Sequence, residues 1–526
     1  LAVTGATGID GDFDINTNKF TVASATGNTA IAGTLGVTGA TTLNDATVSG
    51  TLAVGDLTNV ESSINTNSTN ITSNDTDIAS INSSISNITS GVRLYDEGNG
   101  SFALGVQTLD SESSTGYNMA LGYQVMKNTD GGQYNLGIGY QTLLSNTTGS
   151  DNVAIGFTSM FNNTTGSRNT ALGNSTLRSN TTGVNNVAIG NNTLYSNTIG
   201  QENTAVGYTA LNSNTTGSQN VALGHAALYN NTSGTTNVAV GDNALHYNTT
   251  GSFNMAMGRR SLFSNTTGAK NVALGHNALY KNTTGDSNTG VGTSSLYNNT
   301  TGTLNSAFGD SALYSNTTGS YNSAFGKSAL TSNTTGDFNT AFGLQTLMSN
   351  TTGYENSAFG SQAMQNNTTG IQNSAFGQSA LYNNTTGHRN HAFGNFAMRH
   401  NETGSDNLGL GYYALATNIS GSNNTALGNQ AGNAALGSSN VFIGYQAGYS
   451  ETGSNKLYIS NNSSSNLLYG DFSTGALSLG QTSGTVTTLN DFNVDGNATF
   501  DGTATVTGAS TLTGAVTASS TLAVAG

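Results

Sequence analysis

Residues 220–236 read NVALGHAALYNNTSGTT, one copy of the repeat that decides the fold. Glycine returns at every seventeenth position from Gly105 to Gly428, and asparagine does so from Asn146 to Asn418. Counted from its first asparagine, the consensus is NxAΦGxxALxxNTTGSx, where Φ is a large apolar residue. A short fixed period is typical of architectures in which each unit buries its apolar face against the next. Positions are numbered 1 to 17 along this consensus below.

The consensus predicts one short strand per repeat. Positions 1 to 4 alternate in polarity, which suits a strand with Ala and Φ on different faces. The glycine at position 5, for example Gly241, indicates a backbone conformation or a close approach that a Cβ would block. Position 9, usually Leu, is a second apolar anchor, and Asn-Thr-Thr-Gly is turn chemistry. Stacked in register, such repeats would align like residues in ladders.

The strongest ladder signal is a run of identical Φ residues. Six successive position-4 residues are phenylalanine, which predicts a buried core stack: Phe308, Phe325, Phe342, Phe359, Phe376 and Phe393.

Two rival interpretations of the repeats are a flexible low-complexity tract and a helical solenoid. The usual helical unit is about 34 residues, and Asn-Thr-Thr-Gly in every half-unit would interrupt helices.

Composition excludes several functional classes. The chain has 526 residues, no cysteine, 8% charged residues and a formal net charge of -14. Disulfide scaffolds, thiol catalysis and cysteine-based zinc sites are therefore excluded. Net acidity without a basic patch argues against nucleic acid, and no apolar run approaches the roughly 18 residues of a membrane span. No carboxylate pair recurs in a plausible cleft, so we expect no enzyme, no cofactor and no resident metal.

A different period precedes the repeats. Apolar residues occupy heptad a and d positions from Leu57 to Val92, many of them isoleucine. Isoleucine at both positions favours three or four strands over two. Asn67 and Asn74 take two d positions, where they would either bind an anion in the trimer core or satisfy each other and fix register. The sequence leaves both alternatives open.

The predicted fold is all-β: a β-roll or β-helix solenoid in an elongated homotrimeric fibre with a short trimeric coiled coil. Residues 1–56 and 471–526 resemble each other, and both read as short strands with glycine turns. The predicted divisions are an interwoven β-stalk at 1–56, a coiled coil at 57–93, the repeat shaft at 94–444, a cap at 445–470 and a second stalk at 471–526.

Few residues are candidates for binding. Tyrosines at position 10 could stack on a surface glycan, or they could pack between coils or between subunits: Tyr195, Tyr229, Tyr280, Tyr297, Tyr314 and Tyr382. His388, His391 and His400 could bind a metal in a trimer, and Asp10, Asp12 and Asp14 could bind calcium. Solvated side chains are the simpler interpretation of both sets.

The many Asn-x-Ser/Thr triplets are acceptors for N-linked glycans only on a eukaryotic secretory route. Paired threonines at positions 13 and 14 would suit an ice-binding surface.

Two parts of the sequence resemble known protein families. The Asn-x-Ala-Φ-Gly repeats resemble the left-handed β-roll heads of trimeric autotransporter adhesins, and isoleucine with asparagine at d is similar to their stalks. Residues 440–449 (NVFIGYQAGY), with 453–459 and 468–472, resemble bacteriophage tail-fibre proteins. The resemblance implies a trimeric fibre, located on a virion or on a cell surface, that spaces or presents a host-binding surface. Its partners would be fibre or virion proteins at its ends and cell-surface glycans. The alternatives are a bacterial adhesin and an ice-binding protein.

Overall fold

A computed structural model describes residues 35–37, 52–54, 100–111 and 116–479 of the chain. Its described part is all-β, without a helix, and forms a β-solenoid of about 21 turns with 17-residue spacing. We call each turn of the solenoid a rung. The predicted coiled coil at 57–93, including Asn67 and Asn74, lies outside the described residues, as do Asp10, Asp12, Asp14 and most of both predicted stalks. Within those flanks, two strands pair in parallel with Leu35 opposite Leu52.

Each rung contributes one short strand, and between Met119 and Ile443 every strand pairs in parallel with those of the rungs before and after it. Val221 lies opposite Val238, one repeat further on. The strands are β1 Leu35–Val37, β2 Leu52–Val54, β3 Phe102–Leu104, β4 Met119–Tyr123, β5 Leu136–Tyr140, β6 Val153–Phe157, β7 Thr170–Leu172, β8 Val187–Ile189, β9 Thr204–Val206, β10 Val221–Leu223, β11 Val238–Val240, β12 Met255–Met257, β13 Val272–Leu274, β14 Thr289–Val291, β15 Ser306–Phe308, β16 Ser323–Phe325, β17 Thr340–Phe342, β18 Ser357–Phe359, β19 Ser374–Phe376, β20 His391–Phe393, β21 Leu408–Leu410, β22 Thr425–Leu427, β23 Val441–Ile443, β24 Lys456–Ile459, β25 Leu468–Asp471 and β26 Ala476–Leu479.

Hydrogen bonds between rungs extend well beyond the strands. The Leu228 amide donates to the Ala244 carbonyl at 3.0 Å, and the Thr232 amide donates to the Thr249 carbonyl at 2.9 Å. Most of the backbone polar groups of a rung are therefore satisfied by its two neighbours, as a buried backbone requires. The solenoid is consequently held together along its axis by the backbone as well as by its core.

The core consists of small and branched side chains together with asparagine. Ala222, Ala227 and Leu228 of one rung are fully buried, and so are Asn220 and Asn231. The consensus thus places positions 1, 3, 8, 9 and 12 inside. Position 4 points out of the solenoid, because the strand alternates and position 3 points in.

The phenylalanine ladder is therefore not the core that the sequence predicted. The rings stack in register, with centroids 4.3 Å apart between Phe325 and Phe342 and 5.1 Å apart between Phe342 and Phe359. However, Phe342 is 37% exposed, as are Phe308 and Phe376. The expectation of a buried stack was wrong because the repeat closes with alanine and leucine inside, which leaves Φ on the outer face.

From the rung that starts at Asn118 to the one that starts at Asn407, every rung holds three non-glycine residues at positive φ. In the rung that starts at Asn220 these are Ala226, Leu228 and Thr236, with φ of 51°, 53° and 56°. The left-handed region costs an ordinary residue about 1–2 kcal/mol. Each of these amides donates to a neighbouring rung; the Thr236 amide, for instance, bonds to the Ser218 carbonyl at 3.0 Å. The inter-rung bonds and the burial of Leu228 hold the chain in this conformation.

Position 5 shows why glycine recurs. Gly241 has a φ of 136°, and a Cβ placed there would lie 2.7 Å from the carbonyl oxygen of Gly258 in the next rung. The backbones approach so closely that no side chain fits. The glycine is thus required by both the conformation and the contact.

The solenoid ends in a cap whose core differs from the repeat. The register shortens to sixteen residues at Thr425 opposite Val441, and strands β24, β25 and β26 then pair antiparallel. Phe442 occupies position 3 and is fully buried. Gly432 and Gly448 replace the position-9 leucine, and a Cβ on either would collide with the Phe442 ring. The sheet continues to Leu479, past the predicted cap boundary at residue 470.

Candidate interaction surfaces

Two asparagine ladders run inside the solenoid. The Asn237 amide nitrogen Nδ2 donates to Asn220 Oδ1 at 3.1 Å and to the Gly251 carbonyl at 2.9 Å. At position 12, Asn231 Nδ2 donates to Asn214 Oδ1 at 2.8 Å and to the Gly234 carbonyl at 3.0 Å. These amides fasten consecutive rungs. The sequence places the position-1 asparagine in the strand and the position-12 asparagine in the turn, and the 17-residue period of both is the signal that points to ladders.

The buried ladder also bears on the Asn-x-Ser/Thr triplets. In each Asn-Thr-Thr or Asn-Thr-Ser copy of the turn the acceptor is the position-12 asparagine, such as Asn231, which is fully buried with both amide hydrogens engaged. A folded rung therefore offers no free acceptor nitrogen at this position.

The largest apolar feature outside the core is a row we name the outer stripe, formed by the position-4 side chains from Leu104 to Ile443. Every rung supplies one large apolar residue to this row, but the residue type changes along it. Aliphatic side chains and one methionine precede the six phenylalanines, and leucine and isoleucine follow them. Leu223 is 37% exposed and Met257 is 45% exposed. Exposed apolar surface of this length is typical of an interaction surface.

The position-10 tyrosines lie on a second row. Tyr229, Tyr280, Tyr297 and Tyr314 join His246 and Phe263 in one continuous stack, which we name the aromatic ladder. Its centroid spacings are 5.0–5.4 Å and its interplanar angles are at most 13°. Tyr195 and Tyr382 lie outside this stack, beside Arg178 and Arg399 respectively.

Face-to-face stacking limits what the aromatic ladder can bind. An interior ring such as Tyr280 has another ring on each face, so only its edge is accessible. Stacking on a sugar ring needs a free aromatic face. Burial is the main cause of the lowered pKa of His246 and of the raised pKa of Tyr297.

The three histidines near residue 390 do not meet. His388 Nδ1 accepts a hydrogen bond from the Ile371 amide at 3.1 Å, and His400 Nδ1 lies 3.1 Å from Asn383 Nδ2. His391 lies exposed in strand β20. Across residues 100–111 and 116–479, no three histidine, aspartate or glutamate side chains are grouped so as to hold a metal ion.

The paired threonines separate into two different environments. At position 13 the hydroxyl is engaged: Thr249 Oγ1 donates to the Thr266 carbonyl at 3.0 Å. At position 14 the side chain is exposed, as at Thr250, and the row is interrupted at Ile199. The solenoid therefore presents one exposed row of threonine side chains, whereas the ice-binding alternative requires a flat double row.

Charged side chains form isolated pairs on the surface. Asp242 lies 2.9 Å from His225 and 3.3 Å from Arg259, and the hydrogen bond with His225 is the main cause of its lowered pKa. At the cap, Lys456 lies 2.6 Å from Asp471 and holds the pKa of that carboxyl down at about 2. The exposed contacts of Asp242 contribute little to stability, whereas the side chains of Lys456 and Asp471 are only 20% and 16% exposed.

The sequence matches no protein-family model, and neither a curated protein nor a solved structure matches it. In the described ranges no helix has the length and apolar character needed to cross a bilayer.

Proposed function

We propose that this chain is the shaft of an elongated homotrimeric fibre, specifically a virion tail fibre that spaces or presents a host-binding surface. The role is structural and adhesive, without catalysis. The single observation that carries the proposal is the outer stripe. A row of large, partly exposed apolar residues along the whole solenoid is costly in water, and burial against two further copies of the chain removes that cost.

Fibre geometry supports the same function. With about 21 turns and a ladder spacing of ~4.8 Å, the solenoid measures roughly 100 Å along its axis. Stacked rungs with dense inter-rung hydrogen bonds resist bending and pulling. Such a rod separates its two ends, which is what a tail fibre between virion and host requires. Its ends would join other fibre or virion proteins.

The oligomeric state tests this proposal. Native mass measurement of the 526-residue chain at micromolar concentration is expected to give a trimer, and a monomer would overturn the proposal. The paired change Phe325→Asp and Phe359→Asp should lower the temperature at which the trimer dissociates, because both carboxylates would enter the subunit interface.

A matched control uses residues off the stripe. Phe338 lies at position 17 and is 53% exposed. Phe338→Asp should leave trimer dissociation unchanged. If it weakens the trimer as much as the stripe variants do, the interface lies elsewhere.

The second candidate function is a bacterial surface adhesin of the trimeric autotransporter type. The two candidates differ in the domain that is encoded next to the fibre. Sequencing the DNA that flanks this coding region distinguishes the two. A chaperone domain of the endosialidase type indicates a phage fibre, whereas a trimeric membrane-anchoring barrel indicates the adhesin.

A further inference from the structure

One aromatic side chain departs from the pattern of its row. Tyr247 occupies position 11, just before the buried Asn248, and it is 46% exposed. The two preceding position-11 residues are Ser213 and Asn230, and the next is Ser264. Tyr247 is therefore a large ring standing in a row of small polar side chains. Nothing in the core requires a ring at this site.

The ring of Tyr247 is turned at a right angle to the aromatic ladder. Its plane makes angles of 84° with His246 and 87° with Phe263, at centroid distances of 4.6 Å and 5.0 Å. His246 and Phe263 already stack on each other. Tyr247 must therefore contact their ring edges with one of its faces, which is a favourable T-shaped arrangement. Its opposite face is directed away from the ladder.

Tyr247 also lines a shallow hollow that is open to solvent. The hollow has a volume of about 620 Å³, and Tyr247 is the only aromatic among the residues that line it: Ser213, Asn230, Thr232, Thr249, Ser264 and Thr266. The lining contains no charged side chain. Binding sites for small molecules commonly have this size and combine an apolar surface with a few polar groups.

The polar groups around the hollow are available. In the described part of the chain, the side chains of Ser213, Asn230 and Ser264 have no hydrogen-bond partner, so they can donate and accept. Thr232 and Thr249 donate their hydroxyl hydrogens to carbonyls of the next rung, at 3.1 Å and 3.0 Å, but their oxygens can still accept. The hollow thus offers neutral hydrogen-bonding groups around one open aromatic face.

We infer that this hollow is a binding subsite for a neutral saccharide. A pyranose ring has an apolar C–H face that suits the free face of Tyr247 and a rim of hydroxyls that suits Ser213, Asn230 and Ser264. A charged ligand would find no counter-charge in the lining. The inference names a ligand class for the host-binding surface, and its biological setting rests on the proposed adhesive function.

Saturation-transfer NMR on the full chain tests the site with three probes: maltotetraose, cellotetraose and N,N′,N″,N‴-tetraacetylchitotetraose, supported by an array of neutral glycans. We expect at least one to bind, with transfer to its ring C–H protons. Tyr247→Ala should weaken binding roughly tenfold or more, Tyr247→Phe should retain it, and Asn230→Ala should weaken it several-fold.

Tyr321→Ala is the matched control. Tyr321 is 50% exposed, similar to Tyr247, but it stacks face to face on Phe338 and does not line the hollow. This variant should bind as the unmodified chain does. The inference is overturned if no neutral glycan binds, or if Tyr247→Ala binds as tightly as the unmodified chain.

The mass measurement keeps this inference separate from the fibre proposal. A trimer that binds no saccharide removes the subsite and leaves the fibre standing. A monomer that binds through Tyr247 removes the fibre and leaves the subsite standing.

Discussion

At the scale of single residues, two adjacent asparagines in one rung differ in burial. Asn299 is fully buried; its Nδ2 donates to Asn282 Oδ1 at 2.8 Å and to the Gly302 carbonyl at 3.0 Å, and its Oδ1 accepts from Asn316 Nδ2 at 2.7 Å. Asn298, one position earlier, is only partly buried. The same residue type therefore fastens rungs at position 12 and contacts solvent at position 11.

This contrast supports a prediction for Asn299→Asp. The change keeps the shape of the side chain but removes both donors and buries a charge, so it should destabilise its rung by about 1–3 kcal/mol or more. Hydrogen exchange of the amides in residues 282–316 measures the effect locally, which suits a repeat protein whose rungs interact mainly with neighbours. Asn298→Asp is the control, and equal loss of protection in both variants would contradict the ladder argument.

At the scale of elements, the cap core differs from the repeat core at two positions: phenylalanine replaces alanine at position 3, and glycine replaces leucine at position 9. Gly432 and Gly448 have φ of 55° and 58°, close to the 51° of Leu415 at the same repeat position. The backbone there thus accepts leucine, and the glycine at 448 is needed because Phe442 fills the space, whereas a Cβ on Gly432 would also lie 2.9 Å from Leu415 Cδ2. Phe442 replaces the alanine of the repeat, so the two changes depend on each other.

The dependence predicts a rescue. Gly448→Leu alone should destabilise the cap, because its Cβ would collide with the Phe442 ring. Phe442→Ala alone should cost about 3–5 kcal/mol through the cavity that it leaves. The double variant restores the consensus pair and should be clearly more stable than either single one, as thermal unfolding of the cap would reveal. Additive losses in the double variant would refute the coupling.

The cap also carries a pH dependence. In the folded chain Lys456 keeps the pKa of Asp471 at about 2, below the ordinary value of 3.8. A depressed carboxyl pKa adds stability that is present above pH 3.8 and is lost as the pH falls toward 2. Hydrogen exchange across strands β24 to β26, corrected for intrinsic rates, should therefore show protection falling in this window.

Removing the cation isolates the cause. Lys456→Met should reduce cap protection at neutral pH and flatten its change between pH 4 and pH 2. Arg389→Met removes a comparable surface pair, since Arg389 lies 2.6 Å from Asp406 in a mid-solenoid rung. That control should leave the cap unchanged, and an unaltered pH profile in Lys456→Met would argue against the ion pair.

At the scale of the whole molecule, the repeat number sets the dimensions. About 21 turns at ~4.8 Å each predict a rod close to 100 Å long for residues 100–479. Electron microscopy of the isolated chain should show this rigid segment with little variation in length, because successive rungs share backbone hydrogen bonds. A segment much shorter than this, or one of variable length, would contradict the continuous stack.

Much of this molecule could be predicted from its repeat alone. The fixed period, the strand at positions 2 to 4 and the parallel in-register stacking all follow from residues that return every 17 positions. The requirement for Gly241 also followed, because a recurring glycine usually marks a backbone that cannot accommodate a Cβ. These features depend on local chemistry and on nearest-neighbour stacking, which a sequence records directly.

Only the tertiary structure decided which face is inside. A three-residue strand exposes Ala222 on one side and Leu223 on the other, and its pattern does not say which side the chain closes around. Closure depends on the left-handed residues, among them Leu228 and Thr236, whose conformation is stabilised by hydrogen bonds to other rungs. For that reason the phenylalanine ladder lies on the outer stripe and not in the predicted core, and the position-12 asparagines lie inside although the sequence places them in a turn. The right-angled ring of Tyr247 is likewise a result of how the rungs stack.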